Sequence, residues 1–139
     1  MNALGTMEIS LKFYKHNPIG TANSYSHLAV LYNVMGRLSK SEEFHKKSLE
    51  IYKNLYGENN EVTAICYCNL ANLYKNKGDL SKTEEFLNDS LNIFLHLYGE
   101  HHDKTAISYS NLAILYYDLG NLKKSEEYIN KSIKTQQIL

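Results

Sequence analysis

The sequence has no tryptophan, one proline and two cysteines among 139 residues. One proline and seven glycines exclude a collagenous or loop-dominated chain and argue against an all-β fold. Two cysteines cannot build a disulfide framework. The start, Met1-Asn2-Ala3-Leu4-Gly5, has neither the charge nor the apolar stretch of a signal peptide. Together these point to a reducing, intracellular compartment, the cytoplasm. Neither sign of charge dominates: 15 Lys and Arg balance 15 Asp and Glu. That balance speaks against a nucleic-acid binder and against a polybasic membrane-surface protein. No apolar run reaches the roughly 20 residues of a membrane span. What is present is 43% hydrophobic residues at a mean hydropathy of −0.43, the profile of a soluble folded chain of one domain's length.

The chain repeats itself. Gly36, Gly78 and Gly120 are 42 residues apart, as are Tyr32, Tyr74 and Tyr116, and Ala22, Ala64 and Ala106. The pairs Leu28-Ala29, Leu70-Ala71 and Leu112-Ala113 keep the same distance. Aligned without a gap, 64–97 and 106–139 agree at 16 of 34 positions, far above chance. Each unit reads as two helices. The first spans about 21–35, 63–77 and 105–119, with an apolar stripe of Tyr25, Leu28, Ala29 and Tyr32 at i, i+3, i+4, i+7. A glycine follows each, where a helix end takes a left-handed residue. The second spans about 39–56, 81–98 and 123–137. Ser39-Lys40-Ser41-Glu42 and Ser81-Lys82-Thr83-Glu84 read as capping boxes at its start, lost at Lys123 in the third unit. Short connections require each pair to pack antiparallel.

Before Thr21, Ser10-Leu11-Lys12-Phe13-Tyr14-Lys15 matches Ser48-Leu49-Glu50-Ile51-Tyr52-Lys53. The expected organisation is a single domain, 1–139: a partial repeat with one second-type helix over 1–20, then repeats over 21–62, 63–104 and 105–139. That makes an all-α chain of about seven helices, whose pairs bury their apolar faces by stacking.

Two of these segments carry a family resemblance. Asn69-Leu70-Ala71-x-Leu73-Tyr74-x3-Gly78 and Asn111-Leu112-Ala113-x-Leu115-Tyr116-x3-Gly120 resemble the first helix of a tetratricopeptide repeat. The 42-residue period, with Leu97-Tyr98-Gly99-Glu100-x-His102, resembles the kinesin-light-chain type of that repeat. The resemblance implies an α-α superhelix (a solenoid) with the first helices on its concave side, and the work of a partner-binding adaptor. Where the family usually has Ala in the second helix, this chain has Ser41, Thr83, Ser125, Ser48, Ser90 and Ser132. These stay small, and a buried hydroxyl can bond the i−4 carbonyl. The family's proline after the loop histidine is replaced by Asp103.

A first helix has a second face, away from its apolar stripe. It carries Asn23, Ser26, His27, Val30, Asn33 and Val34 in the first repeat. The second repeat has Ile65, Cys68, Asn69, Asn72, Lys75 and Asn76 there; the third has Ile107, Ser110, Asn111, Ile114, Tyr117 and Asp118. Stacking would align these into a groove for a protein or peptide partner. The candidate peptide-binding residues are Asn23, His27, Val30, Ile65, Asn69, Asn72, Lys75, Asn76, Ile107, Asn111, Ile114 and Tyr117. An Asn amide can bond both the C=O and the N–H of an extended peptide, a role expected of Asn69, Asn72, Asn76 and Asn111. For Asn69 and Asn111 the alternative is a bond between neighbouring helices. A charged chain terminus would find only Lys75 there, which argues against the carboxylate clamp of chaperone-binding relatives. The second helices are charge-rich at i, i+4 spacing and read as solvated faces.

Cys66-Tyr67-Cys68 sends its sulfurs to different sides of a helix and lacks a second pair, so it is no zinc site. His101-His102, beside Glu100 and Asp103, reads as turn and helix-start chemistry, with a weak metal site as the alternative. No nucleophile elbow, P-loop or zinc-protease motif is present. Neither catalysis, metal nor cofactor is expected. A rival reading makes the chain a structural fragment of a longer array, associating with itself through uncapped terminal helices with Ile129, Ile133 and Leu139 in an exposed stripe.

Overall fold

The repeat period translates directly into helices in the computed structural model, which describes residues 17–138. Six helices and no strands occur among the described residues: α1 (Pro18–Val34), α2 (Leu38–Tyr56), α3 (Glu61–Asn76), α4 (Leu80–Tyr98), α5 (Asp103–Asp118) and α6 (Leu122–Ile138). The second-type helix expected over 1–20 falls outside the described residues, apart from 17–20. Those four open α1 instead. Asn17 caps its N-terminus, with the side chain accepting from Gly20 N, and Pro18 takes the first helical position, where its missing N–H costs nothing. The described residues divide into two compact units, one ending at Gly57 and one beginning at Glu58. In the first unit α1 packs on α2. In the second, α3 packs on α4, α4 on α5, and α5 on α6.

The turn inside each hairpin is the same construction three times. After α3, Gly78 adopts φ +81°, a conformation open to glycine at no steric cost. Its N–H donates to Lys75 O at 3.0 Å, and Asp79 N donates to Tyr74 O at 2.9 Å. This pair of reversed bonds satisfies carbonyls the helix end would leave bare. The residue that completes the turn also starts the next helix. Asp79 Oδ1 accepts from Lys82 N and Asn121 Oδ1 accepts from Lys124 N, both at 3.1 Å. The expected capping boxes are therefore corrected: Ser39 and Ser81 lie inside the first helical turn, and the cap stands two residues earlier. In the first unit that cap position is Arg37, which makes no side-chain cap bond.

Packing follows the stripe. Leu28, Ala29 and Tyr32 are buried in α1, and their counterparts Leu70, Ala71, Tyr74 and Leu112, Ala113, Tyr116 in α3 and α5. Each hairpin places one ring of its second helix against both tyrosines of its first. Phe44 stacks on Tyr25 and Tyr32 with centroids 5.5 and 5.7 Å away, and Phe86 on Tyr67 and Tyr74 at 5.8 and 5.5 Å. Tyr128 meets Tyr109 and Tyr116 at 6.1 and 5.3 Å.

The small hydroxyl residues of the second helices, Ser41, Ser48, Thr83, Ser90, Ser125 and Ser132, are buried. Ser41 Oγ donates to Ala29 O and Ser125 Oγ to Ala113 O, both across the hairpin rather than to the expected i−4 carbonyl. Thr83 alone bonds i−4, at Asp79 O, 2.9 Å, with a longer contact of 3.4 Å to Ala71 O. Of the second set, Ser132 Oγ donates to Ala106 O at 2.9 Å and Ser90 Oγ lies 3.0 Å from Cys68 Sγ. Ser48 Oγ is buried with no hydrogen-bond partner among the described residues. No described helix is long and apolar enough to cross a membrane.

Candidate functional site

The second unit sets α3 and α5 side by side over α4. Cys68, Ala71, Asn72 and Lys75 of α3, Thr83 and Leu87 of α4, and Asn111, Ile114 and Leu115 of α5 line one cavity of about 240 Å³. Helical spacing explains the lining: 68, 71, 72 and 75 form one face of α3, and 111, 114 and 115 one face of α5. The floor is apolar, from Ala71, Leu87 and Leu115. The walls carry two amides, Asn72 and Asn111.

Charge is disposed at the two ends. Lys104 in the first turn of α5 pairs with Glu61 in the first turn of α3, and Glu61 also accepts from the Tyr98 hydroxyl at 2.9 Å. In the last turns Lys75 Nζ lies 3.8 Å from Asp118 Oδ2. Both pairs are partly exposed and add little stability. Their consequence is local neutrality, because the cation on the cavity wall already has its counter-ion. Cys68 lies at the back of the site, and burial pushes its thiol pKa up despite the Ser90 contact. A thiol held protonated is a poor nucleophile and a poor metal ligand. No cluster of three metal-binding side chains occurs among the described residues, and no disulfide joins Cys66 and Cys68.

Four of the expected residues converge on this cavity: Asn72, Lys75, Asn111 and Ile114. Tyr117 lies beside a second cavity. Asn69 is half-buried and Asn76 exposed, and neither lines the first cavity; Ile65 and Ile107 are exposed on the same helices. In the first unit His27 and Val30 are exposed on α1. Asn23 there accepts a hydrogen bond from the Tyr52 hydroxyl of α2, which engages part of the amide expected to face a ligand. Thr83 and Leu87 were not foreseen as lining residues. Their positions in the repeat read as hairpin packing, and only their 42-residue counterparts, Ser125 and Ile129, could have hinted otherwise. His102 acts at a helix start: its Nδ1 accepts from Lys104 N at 3.1 Å and its ring stacks on Tyr98 at 4.1 Å. Asn60, 42 residues earlier, caps α3 the same way through Val62 N.

Comparison with known proteins agrees with this architecture. The profile of the family described as Tetratricopeptide repeat matches residues 20–95 and 69–137. No curated protein matches the sequence. Among solved structures, BtubC (BKLC) from P. vanneervenii is 25% identical, with a TM-score of 0.79 over 97% of this chain and 57% of that one. Nearly identical TPR-like repeats from Podosopora anserina, ascribed to a kinesin light chain, are 19% identical, with a TM-score of 0.73 over 84% of this chain and 55% of theirs. The chain thus spans a little over half the length of each. With three glycine-closed hairpins at a 42-residue period and this profile over most of its length, the chain belongs to the tetratricopeptide repeat family, and its repeats are of the kinesin-light-chain kind.

Proposed function

We propose that the protein is an adaptor whose second unit holds an uncharged stretch of a partner polypeptide in the cavity between α3 and α5. The observation that carries this reading is the cavity's lining: an apolar floor between two amides, with its one cation already paired to Asp118. An extended segment would set an apolar side chain against Leu87, Ile114 and Leu115. Asn72 and Asn111 would bond its backbone, holding the chain without demanding a particular sequence. The task in this reading is binding, which the tetratricopeptide fold suggests.

The test is selection of peptides from a displayed library on the 139-residue chain, followed by affinity measurement with Asn72→Ala/Asn111→Ala. A short peptide should bind near 1 µM, about −8 kcal/mol. The double variant should weaken it about tenfold or more while its thermal unfolding stays within a few degrees of the parent. Selected peptides that bind the variant as tightly as the parent would assign the groove elsewhere.

A further inference from the structure

A third cavity, about 250 Å³, lies beside the turn between α4 and α5 and is lined by Glu100, His101, Tyr109, Lys131, Lys134 and Thr135. The same places one repeat earlier hold Glu58, Asn59, Tyr67, Asp89, Asn92 and Ile93. The two sets differ in charge. The earlier one carries two carboxylates and no cation, the later one two ammonium groups and one carboxylate. In the earlier repeat the tyrosine hydroxyl already has an acceptor, donating to Glu58 Oε1 at 2.6 Å. The first repeat also differs, with Glu50 and Ile51 at the places of Lys134 and Thr135. Three departures of the third repeat thus meet in one cavity: a histidine for Asn59, a lysine for Asn92 or Glu50, and a threonine for two isoleucines.

Burial grades the lining. Tyr109 and Thr135 are buried, while Glu100, His101, Lys131 and Lys134 are exposed. Ile93 is buried at the place of Thr135, so the third repeat puts a hydroxyl where its neighbour packs a hydrocarbon side chain, a change that costs stability unless the hydroxyl finds a partner. Lys131 is engaged already: its Nζ lies 3.6 Å from Glu127 and over the rings of Tyr109 and Tyr128 at 5.8 and 4.7 Å. Lys134 makes no ion pair among the described residues. A hairpin stacked behind does not close such a face, because Glu58, Asn59 and Asn92 stay exposed although α5 packs on α4.

We propose that this cavity is a binding site for a phosphate monoester. Its lining offers two ammonium groups, an imidazole and two hydroxyls, drawn from the turn, α5 and α6. A carboxylate has two oxygens to receive them. A phosphate monoester has three strong acceptor oxygens and a charge of about −1.5 to −2 at neutral pH, which matches this set better. Lys134 supplies the uncompensated charge and Thr135 a donor at the buried end. Glu100, at the rim, repels the anion and limits its affinity. The site shares no residue with the cavity between α3 and α5 and does not depend on the adaptor reading.

The probes are N-acetyl-O-phosphoserine amide and glycerol phosphate, titrated at constant ionic strength into the isotope-labelled 139-residue chain and followed by NMR, with acetate in parallel. Saturable shifts centred on His101, Lys134 and Thr135 are expected, with a Kd of about 1–10 mM, and acetate should bind about tenfold more weakly. The tighter phosphate probe names the source, a modified side chain or a small metabolite. Lys134→Asn and Thr135→Ile install residues with which the second repeat folds. Each should weaken binding about fivefold, with thermal unfolding within a few degrees of the parent. Glu100→Gln should tighten it about threefold. Lys123→Asn, which removes a cation from the same helix outside the cavity, should leave the affinity unchanged. Three results would overturn the proposal: no saturation by about 50 mM, acetate binding as tightly as the phosphates, or a loss in Lys123→Asn equal to that in Lys134→Asn.

Discussion

Ser41 Oγ donates a 2.7 Å hydrogen bond to the carbonyl oxygen of Ala29, twelve residues back and on the facing helix of the same hairpin. That carbonyl faces α2 where alanine leaves the α1 backbone uncovered, and a carbonyl oxygen has a second lone pair to offer beyond its intrahelical bond. Ser125 and Ala113 repeat the arrangement at 2.9 Å. Ser41→Ala should cost about 0.5–1.5 kcal/mol, since no carbonyl is orphaned by it. Ser41→Val, which removes the bond and adds bulk at a closely packed position, should cost about 1–3 kcal/mol more. Denaturant unfolding of the two variants gives the comparison directly.

Ser48 has the opposite standing. Its hydroxyl is buried without a partner among the described residues, whereas Ser90 and Ser132 at the same repeat position bond Cys68 and Ala106. Ser48→Ala should stabilise the protein by about 1 kcal/mol by removing a desolvated group. Ser132→Ala should destabilise it by a similar amount. A loss of stability in Ser48→Ala would show that the hydroxyl has a partner after all.

His45 is 4% exposed and stands where the later repeats have Leu87 and Ile129. Burial drives its pKa from 6.5 down to about 4, so the folded protein holds it neutral. The unfolded chain binds the proton more readily. Its contribution is therefore complete above pH 6.5 and is lost as the pH falls toward 4, by up to about 3 kcal/mol. In His45→Leu that part of the acid sensitivity should vanish. Unfolding curves of parent and variant between pH 7 and pH 4.5 should diverge steadily; parallel curves would show a solvated imidazole.

Arg37 occupies the cap position that Asp79 and Asn121 fill in the other hairpins, and offers no acceptor. Arg37→Asp should supply the missing bond to the start of α2 and place a negative charge at its N-terminus. A gain of about 1 kcal/mol is expected, seen as a rise of a few degrees in Tm.

The helices, their pairing and their stripes were legible because the signal recurs every 42 residues: Tyr74, Leu70 and Ala71 are identified by Tyr116, Leu112 and Ala113. The capping error arose because a serine followed by Glu three residues on fits a box wherever it falls. The turn ending at Asp79 shifts the helix start upstream and makes one residue serve two helices. At the candidate site, helical spacing in the sequence put Asn72 on one face of α3, and Asn111 and Ile114 on one face of α5, but did not show what lies beneath them. Thr83 and Leu87 enter the cavity from the second helix, whose role in one hairpin is packing and between two hairpins is lining. The Lys75–Asp118 pair was equally hidden, because residues 43 apart on different helices meet only through the stacking of α3, α4 and α5.

The ring contacts have an optical consequence. Twelve tyrosines and no tryptophan make the near-ultraviolet spectrum almost purely phenolic. In each hairpin two of those chromophores are held in a fixed chiral setting by a third ring from the facing helix. Circular dichroism near 275–280 nm therefore acts as an internal gauge of hairpin closure. Replacing Phe44, Phe86 or Tyr128 by leucine, one at a time, would dim the share belonging to a single hairpin and let the order in which the three open be followed without any added label.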